Sequence, residues 1–193
     1  MTRQKIDRRV QRTRQLLHKA LMELILEKPY DQITVQDILD RANIGRATFY
    51  GHFTDKDDLL LGGLDDEPFD IQQVVDEADT AADEGKIIPS YSLFHHAQQL
   101  HPLYKALLGS HGIEFVRTAF RTHLVHMVEQ HLKRHTPAFS LPLNVMANYL
   151  AGGVMALMMW WLDHEMPYSV QEMDTMVQQM VMEGLERLND EQS

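Results

Sequence analysis

Thr34–Lys56 reads TVQDILDRANIGRATFYGHFTDK and holds two short helical patterns joined by a tight turn. Val35, Ile38, Leu39 and Ala42 fall at i, i+3, i+4 and i+7, which is one apolar face of a helix. Thr34 precedes that face as a natural N-cap. Asn43-Ile44-Gly45 breaks the pattern, because Asn and Gly accept the left-handed backbone that a tight turn requires. The spacing starts a second helix near Arg46, with Phe49 and Phe53 one turn apart as its anchors. Arg46, Ala47, Thr48, Tyr50 and Gly51 are left on its other faces. One packed helix beside one that presents itself is a helix-turn-helix of the kind that enters a DNA major groove.

Working outward, the chain is 193 residues, 44% of them apolar, enough for one sizeable core or for a small domain beside a larger one. Strand signals are scarce and long helical periodicities recur, so the expected class is all-α. There is no Cys, which removes disulfides, thiolate zinc sites and cysteine nucleophiles together. The basic N-terminus has no apolar stretch behind it and reads as lacking a secretory signal, which implies a cytoplasmic protein. The net charge of −10 is unevenly spread. Residues 1–56 carry 11 Lys and Arg against 7 Asp and Glu, whereas residues 57–193 carry 7 against 21. That is a basic module of +4 on an acidic body of −14, and it suggests two domains, 1–56 binding nucleic acid and 57–193 serving another purpose.

The segment resembles the DNA-binding domain of the TetR family of bacterial transcription regulators. The matching residues are Thr34, Ile38, Ala42, Thr48, Phe49, Tyr50, His52, Phe53, Lys56 and Leu59, within the first third of the chain. Beyond it the resemblance lies in length and in the all-helical pattern. It implies that Arg46, Ala47, Thr48 and Gly51 face base edges and that Gln36 sits where some members reach a base. It also implies that Tyr50, His52, Thr34 and Lys56 hold phosphates. Residue chemistry agrees. Arg can donate two hydrogen bonds to guanine, Gln can serve adenine in the same way, and a Thr methyl can meet a thymine methyl. Hydroxyls and a Lys suit phosphate oxygens, which set register rather than sequence. Two positions depart from the family pattern: Asn43 stands where a glycine is usual, and Gly51 where a large base-contacting residue is common.

The first helix is expected from about Arg9 to Glu27, its buried stripe formed by Leu17, Ala20, Leu21, Leu24 and Ile25, with Pro29 ending it. Arg3 and Lys5 precede it, and Arg8, Arg9, Arg12 and Arg14 follow; beside a helix-turn-helix such an arm commonly contacts phosphates or the minor groove. Asp55 can cap a fourth helix that Gly62-Gly63 weakens. From Asp65 to Glu84 there are nine acids and no Lys or Arg, a solvated stretch that would repel phosphate. Further helices are expected over 91–100, 102–109, 113–134, 141–164 and 169–189, with Pro137, Pro142 and Pro167 as punctuation.

Val170, Met173, Val177, Met180, Gly184 and Leu188 trace a stripe that Met176, Val181 and Leu185 widen, a width suited to a bundle shared with a second copy. Val145–Leu162 is 18 residues without a charge. Asn148, Gly152, Gly153 and the lack of basic flanks favour a helix buried all round over a membrane span. Met146, Leu150, Val154, Met173, Val177, Met180 and Gly184 are thus the expected dimer interface.

The family also implies a small-molecule effector bound among the C-terminal helices. Tyr91, Phe94, Tyr104, Phe115, Phe120, Met155, Met158, Met159, Trp160 and Trp161 supply apolar, aromatic and pliable material for such a pocket. Nine of the 11 His lie beyond residue 90. The pairs His131/His135 and His123/His126 have helical spacings that could share a metal, but no Cys supports them and Glu129 is the only nearby carboxylate. No nucleophile elbow, phosphate loop or H-E-x-x-H is present, so neither an enzyme nor a cofactor is expected. The expectation is a dimeric, ligand-released repressor on an inverted-repeat operator; control by a protein partner is the alternative.

Overall fold

The computed structural model describes residues 8–63, 86, 88–135 and 141–190. The Met1–Asp7 arm, the acidic stretch 65–84 and the turn at Pro137 lie outside them, as do the side chains of His135, Leu185 and Leu188. Every regular element among the described residues is helical. Contacts divide the chain into two compact units, residues 1–70 with 102–117 and residues 71–101 with 118–193.

In the first unit, α1 spans Arg8–Glu27 and is followed by a 3-10 turn at Tyr30–Gln32. Then come α2 (Val35–Ala42), α3 (Arg46–Tyr50) and α4 (Lys56–Gly62). Leu17, Ala20, Leu21, Leu24 and Ile25 are all buried on α1, as the apolar spacing predicts. His18 and Met22 join them. α2 and α4 both pack on α1, and Arg41 ties α2 to it through Glu27 at 2.6 Å and Glu23 at 3.3 Å. Further on, α6 (His101–Leu107) and the start of α7 (Gly112–His135) complete the unit. Gly112 lies flat on Tyr30, where a Cβ would come within 2.8 Å of the ring. Beside it His111 bridges Asp31 through Nδ1 and Asp57 through Nε2. Tyr30 donates its hydroxyl to the same Asp57. Burial first, and that hydrogen bond second, push the phenol well above its ordinary range.

The second unit contains α5 (Ser90–Gln99), most of α7, α8 (Leu143–Asp163) and α9 (Val170–Asp190). α5 is its central helix and packs on both α8 and α9. Phe94 of α5 meets Trp161 of α8 edge-on at 5.3 Å, and both are fully buried. A polar cluster pins the approach to α5 against α9. Asp174 accepts from Lys86 Nζ at 2.7 Å and Ser90 Oγ at 2.6 Å, while Gln178 donates to Ile88 O and Ser90 Oγ.

Within the protomer each of the two long helices buries one stripe. α8 is long and apolar enough to cross a membrane, and within the protomer it is buried on one side. Met146, Ala147, Ala151, Val154, Met158, Trp161 and Leu162 form one buried stripe, while Val145, Tyr149 and Trp160 are exposed opposite. On α9 the buried residues are Val170, Met173, Val177 and Val181, so the stripe steps to 181 and leaves Met180 and Gly184 outside. Steps of three, four and four keep Val181 in line, whereas a step of three to Met180 rotates away from the core. Met146, Val154, Met173 and Val177 are buried within the protomer.

Candidate nucleic-acid interface

The turn between α2 and α3 is built as the residues dictate. Thr34 caps α2 in a reciprocal capping box with Asp37: the hydroxyl accepts from Asp37 N, and Thr34 N and Oγ1 donate to the Asp37 carboxylate at 2.8 and 2.7 Å. A hydrogen bond from Lys28, then those from Thr34, hold the Asp37 carboxyl well below the usual range. Asn43 ends α2 at φ 52°, ψ 47°, the left-handed conformation that Asn takes at little cost. α3 follows at once. Its Phe49 is fully buried, with Phe53 behind it at 6.0 Å between ring centroids.

Those two anchors decide what α3 presents. Arg46, Ala47, Thr48, Tyr50 and Gly51 are all exposed, and Tyr50 leans edge-on against Phe49 with half of its surface open. His52 is half-buried against Phe53. Gln36 on α2 reaches across to accept from Arg46 Nη2 at 2.9 Å, which brings the two helices' polar side chains together. The result is a continuous polar face with two hydroxyls, a guanidinium and an amide, beside a bare glycine. Such a set suits base edges and phosphates.

Two residues expected at the flanks also make bonds within the chain. Thr34 spends both its N–H and its O–H on Asp37. Lys56 is half-buried, its ammonium donating to Tyr30 O at 2.8 Å and Ile33 O at 2.9 Å while lying 4.4 Å from the centre of the Tyr30 ring. It closes the chain reversal between α1 and α2. One of its three protons is left for any other acceptor. Asp40, which sequence reading passed over, accepts from Gln36 Nε2 at 2.8 Å. Its i, i+4 spacing from Gln36 was the available signal.

The C-terminal aromatic and methionine set is divided between the two units. Tyr104 and Phe115 belong to the first unit, where Arg117 donates to the Tyr104 hydroxyl at 3.1 Å. In the second unit, Phe94, Met158 and Trp161 are core. Tyr91, Phe120, Met155 and Met159 are half-buried, and Trp160 is exposed against His164. A cleft of about 330 Å³ lies elsewhere, lined by Tyr168, Gln171, Glu172, Thr175 and Met176. His123 Nδ1 faces the Ala119 carbonyl and His131 turns inward to the Lys86 carbonyl. Among the described residues no three potential ligands converge.

Residues 17–62 match the family model for bacterial regulatory proteins of the tetR family, and residues 90–183 match that for a transcriptional regulator C-terminal region of the same group. The chain belongs to the TetR family of transcriptional regulators. The chain is 52% identical over 56 residues to the uncharacterised HTH-type transcriptional regulator YxbF of Bacillus subtilis strain 168. It is 40% identical over 48 residues to DhaS, the dhaKLM operon transcriptional activator of Lactococcus lactis. These stretches cover 28% and 25% of this chain but only 15% and 26% of those relatives. Similarity over nearly the whole chain comes from a TetR regulator of Streptococcus agalactiae 2603V. That structure has a TM-score of 0.66 at 26% identity and covers 91% of this chain and 96% of its own.

Proposed function

We infer that the chain is an operator-binding TetR regulator that acts as a homodimer, with residues 1–56 as the reading head and 57–193 as the body that dimerises and receives the signal. The observation that carries this is the exposed face of α3, Arg46 to Gly51, set on a buried Phe49 and Phe53. Arg46, Ala47, Thr48 and Gly51 read bases, with Tyr50 and His52 on phosphates. Support for a second copy comes from α8, whose outer face is apolar: Val145, Tyr149, Gly153, Ala156 and Trp160 are exposed at spacings of four, four, three and four. Met180 and Gly184 on α9, and half-buried Leu150, extend the same kind of surface. An apolar stripe of this length on one helix marks an interface. The interface is therefore assigned to these outer residues in place of the buried ones.

A two-fold dimer reads an inverted repeat, its half-sites set by the spacing of the two α3 helices. Repression follows from occupying that operator, and release follows from a small apolar or aromatic effector that favours the wrong spacing by a few kcal/mol. Half-buried Tyr91, Phe120, Met155 and Met159 are the surface at which such an effector enters.

The test is selection of bound duplexes from fragmented source DNA at physiological salt, followed by sequencing. A short inverted repeat is expected. On that operator, Tyr50→Phe weakens binding to every sequence alike and leaves the preferred sequence and, because the phenol carries no charge, the salt slope unchanged. Tyr149→Arg gives a monomer that no longer holds the repeat. Recovery of nothing above non-specific binding defeats the reading.

A further inference from the structure

Gln36 lies between two groups of fixed polarity. The Arg46 guanidinium only donates, and the Asp40 carboxylate only accepts. The amide therefore has one orientation that serves both, with Oε1 toward Arg46 Nη2 at 2.9 Å and Nε2 toward Asp40 Oδ1 at 2.8 Å. With its oxygen and one amide proton committed, Gln36 is a connector and lacks the free edge with which a glutamine grips adenine. All three residues are exposed, so the chain of bonds is an arrangement of the DNA-facing surface and not a piece of core. It spans the turn from α2 to the first residue of α3, the place where a long, four-torsion Arg side chain is otherwise free to swing.

We propose that Asp40 is a positioning residue: acting through Gln36, it aims the Arg46 guanidinium so that its remaining N–H donors meet the O6 and N7 of one guanine in each half-site. Asp40 itself touches no nucleic acid and, being anionic, stands off the phosphates. Arg46 supplies the recognition, Gln36 holds it, and Asp40 holds Gln36 in register. This rests on α3 being the reading helix.

The experiment repeats the duplex selection with full-length wild type, Arg46→Ala, Gln36→Leu, Asp40→Ala and Asp40→Asn, each checked for its melting temperature and for its salt dependence. Wild type should enrich one G·C pair at a symmetric position, with roughly five- to 150-fold discrimination against the other pairs, the worth of one bidentate contact. Arg46→Ala should abolish that preference. Asp40→Ala and Gln36→Leu should relax it several-fold at that position alone, leaving the other positions and the salt slope unchanged. Asp40→Asn keeps an acceptor oxygen for Gln36 and should restore most of it. An Asp40→Ala profile identical to wild type, or one relaxed equally at every position, overturns the positioning role while leaving the reading head intact. Wild type enriching no sequence at all overturns the reading head, and this inference with it.

Discussion

His18 should make the first unit acid-sensitive in a narrow and measurable window. Its ring is buried to 3% exposure on α1, edge-on to Phe53 at 5.8 Å, with Gly63 so close that a Cβ there would fall about 2 Å from the imidazole. Burial, and then the positive charge of Arg14, lower its pKa from 6.5 to about 4. Above pH 6.5 the ring is neutral whether the unit is folded or not. Between 6.5 and 4 the unfolded chain takes up a proton that the folded one refuses, so stability falls as pH falls. At about 1.4 kcal/mol per pH unit the full loss is about 3 kcal/mol, of which about 2 kcal/mol is gone by pH 5. Both tryptophans lie in the second unit and are blind to this change. The assay is therefore amide hydrogen exchange of α1 and α4, corrected for intrinsic rates, at pH 7 and pH 5. His18→Leu serves as the control, since it removes this imidazole and leaves every other ionisable group in place. Wild type should lose about 2 kcal/mol more protection between the two pH values than the variant. Equal losses, or an NMR titration of His18 with its midpoint near 6.5, refute the argument.

Lys56→Met removes the donors to Tyr30 O and Ile33 O and the cation above the Tyr30 ring, and should cost about 1–3 kcal/mol in the same exchange assay; undiminished protection with a weaker salt slope returns Lys56 to a pure phosphate role. Gly51→Ala meets only ordinary 3.4 Å contacts at φ −75°, so it should raise stability by up to about 1 kcal/mol while placing a methyl on the reading face. Thermal melting and DNA titration should then move in opposite directions; parallel gains would remove Gly51 from the DNA surface. Asp174→Ala takes the acceptor from Lys86 and Ser90 and should destabilise the second unit by about 2–4 kcal/mol, less than a fully buried pair because Lys86 keeps 21% of its side chain exposed. Trp161 fluorescence during urea unfolding reads that loss, and an unshifted midpoint would show the pair to be incidental.

The helix-turn-helix was legible in the residues because its determinants are local. Thr34 caps the helix that follows it, Asn43 takes the left-handed turn, and Phe49 and Phe53 fix α3 from one turn apart. Each of these is a relation over two to four residues, the range over which side-chain chemistry and backbone torsion are directly coupled. Helix boundaries at Pro29, Gly62 and Pro142 were readable for the same reason. The division of charge, +4 against −14, likewise needed no coordinates.

What escaped the sequence were the relations between residues far apart in it. Apolar spacing marked Met146, Val154, Met173 and Val177 as buried, but only the packing of α5 against α8 and α9 decides that they are buried within the protomer. Periodicity reports that a side chain avoids water; it does not say which surface covers it. Lys56 shows the same limit in a polar residue, since the family resemblance implies a phosphate ligand there while its ammonium closes a loop with carbonyls 23 and 26 positions away. An ammonium serves any acceptor in reach, and what is in reach is fixed by the folded chain. By itself the sequence determined the reading motif and the helical class. Tertiary structure alone decided which of the polar residues are engaged within the chain, because the acceptors in reach of a side chain are set by the fold.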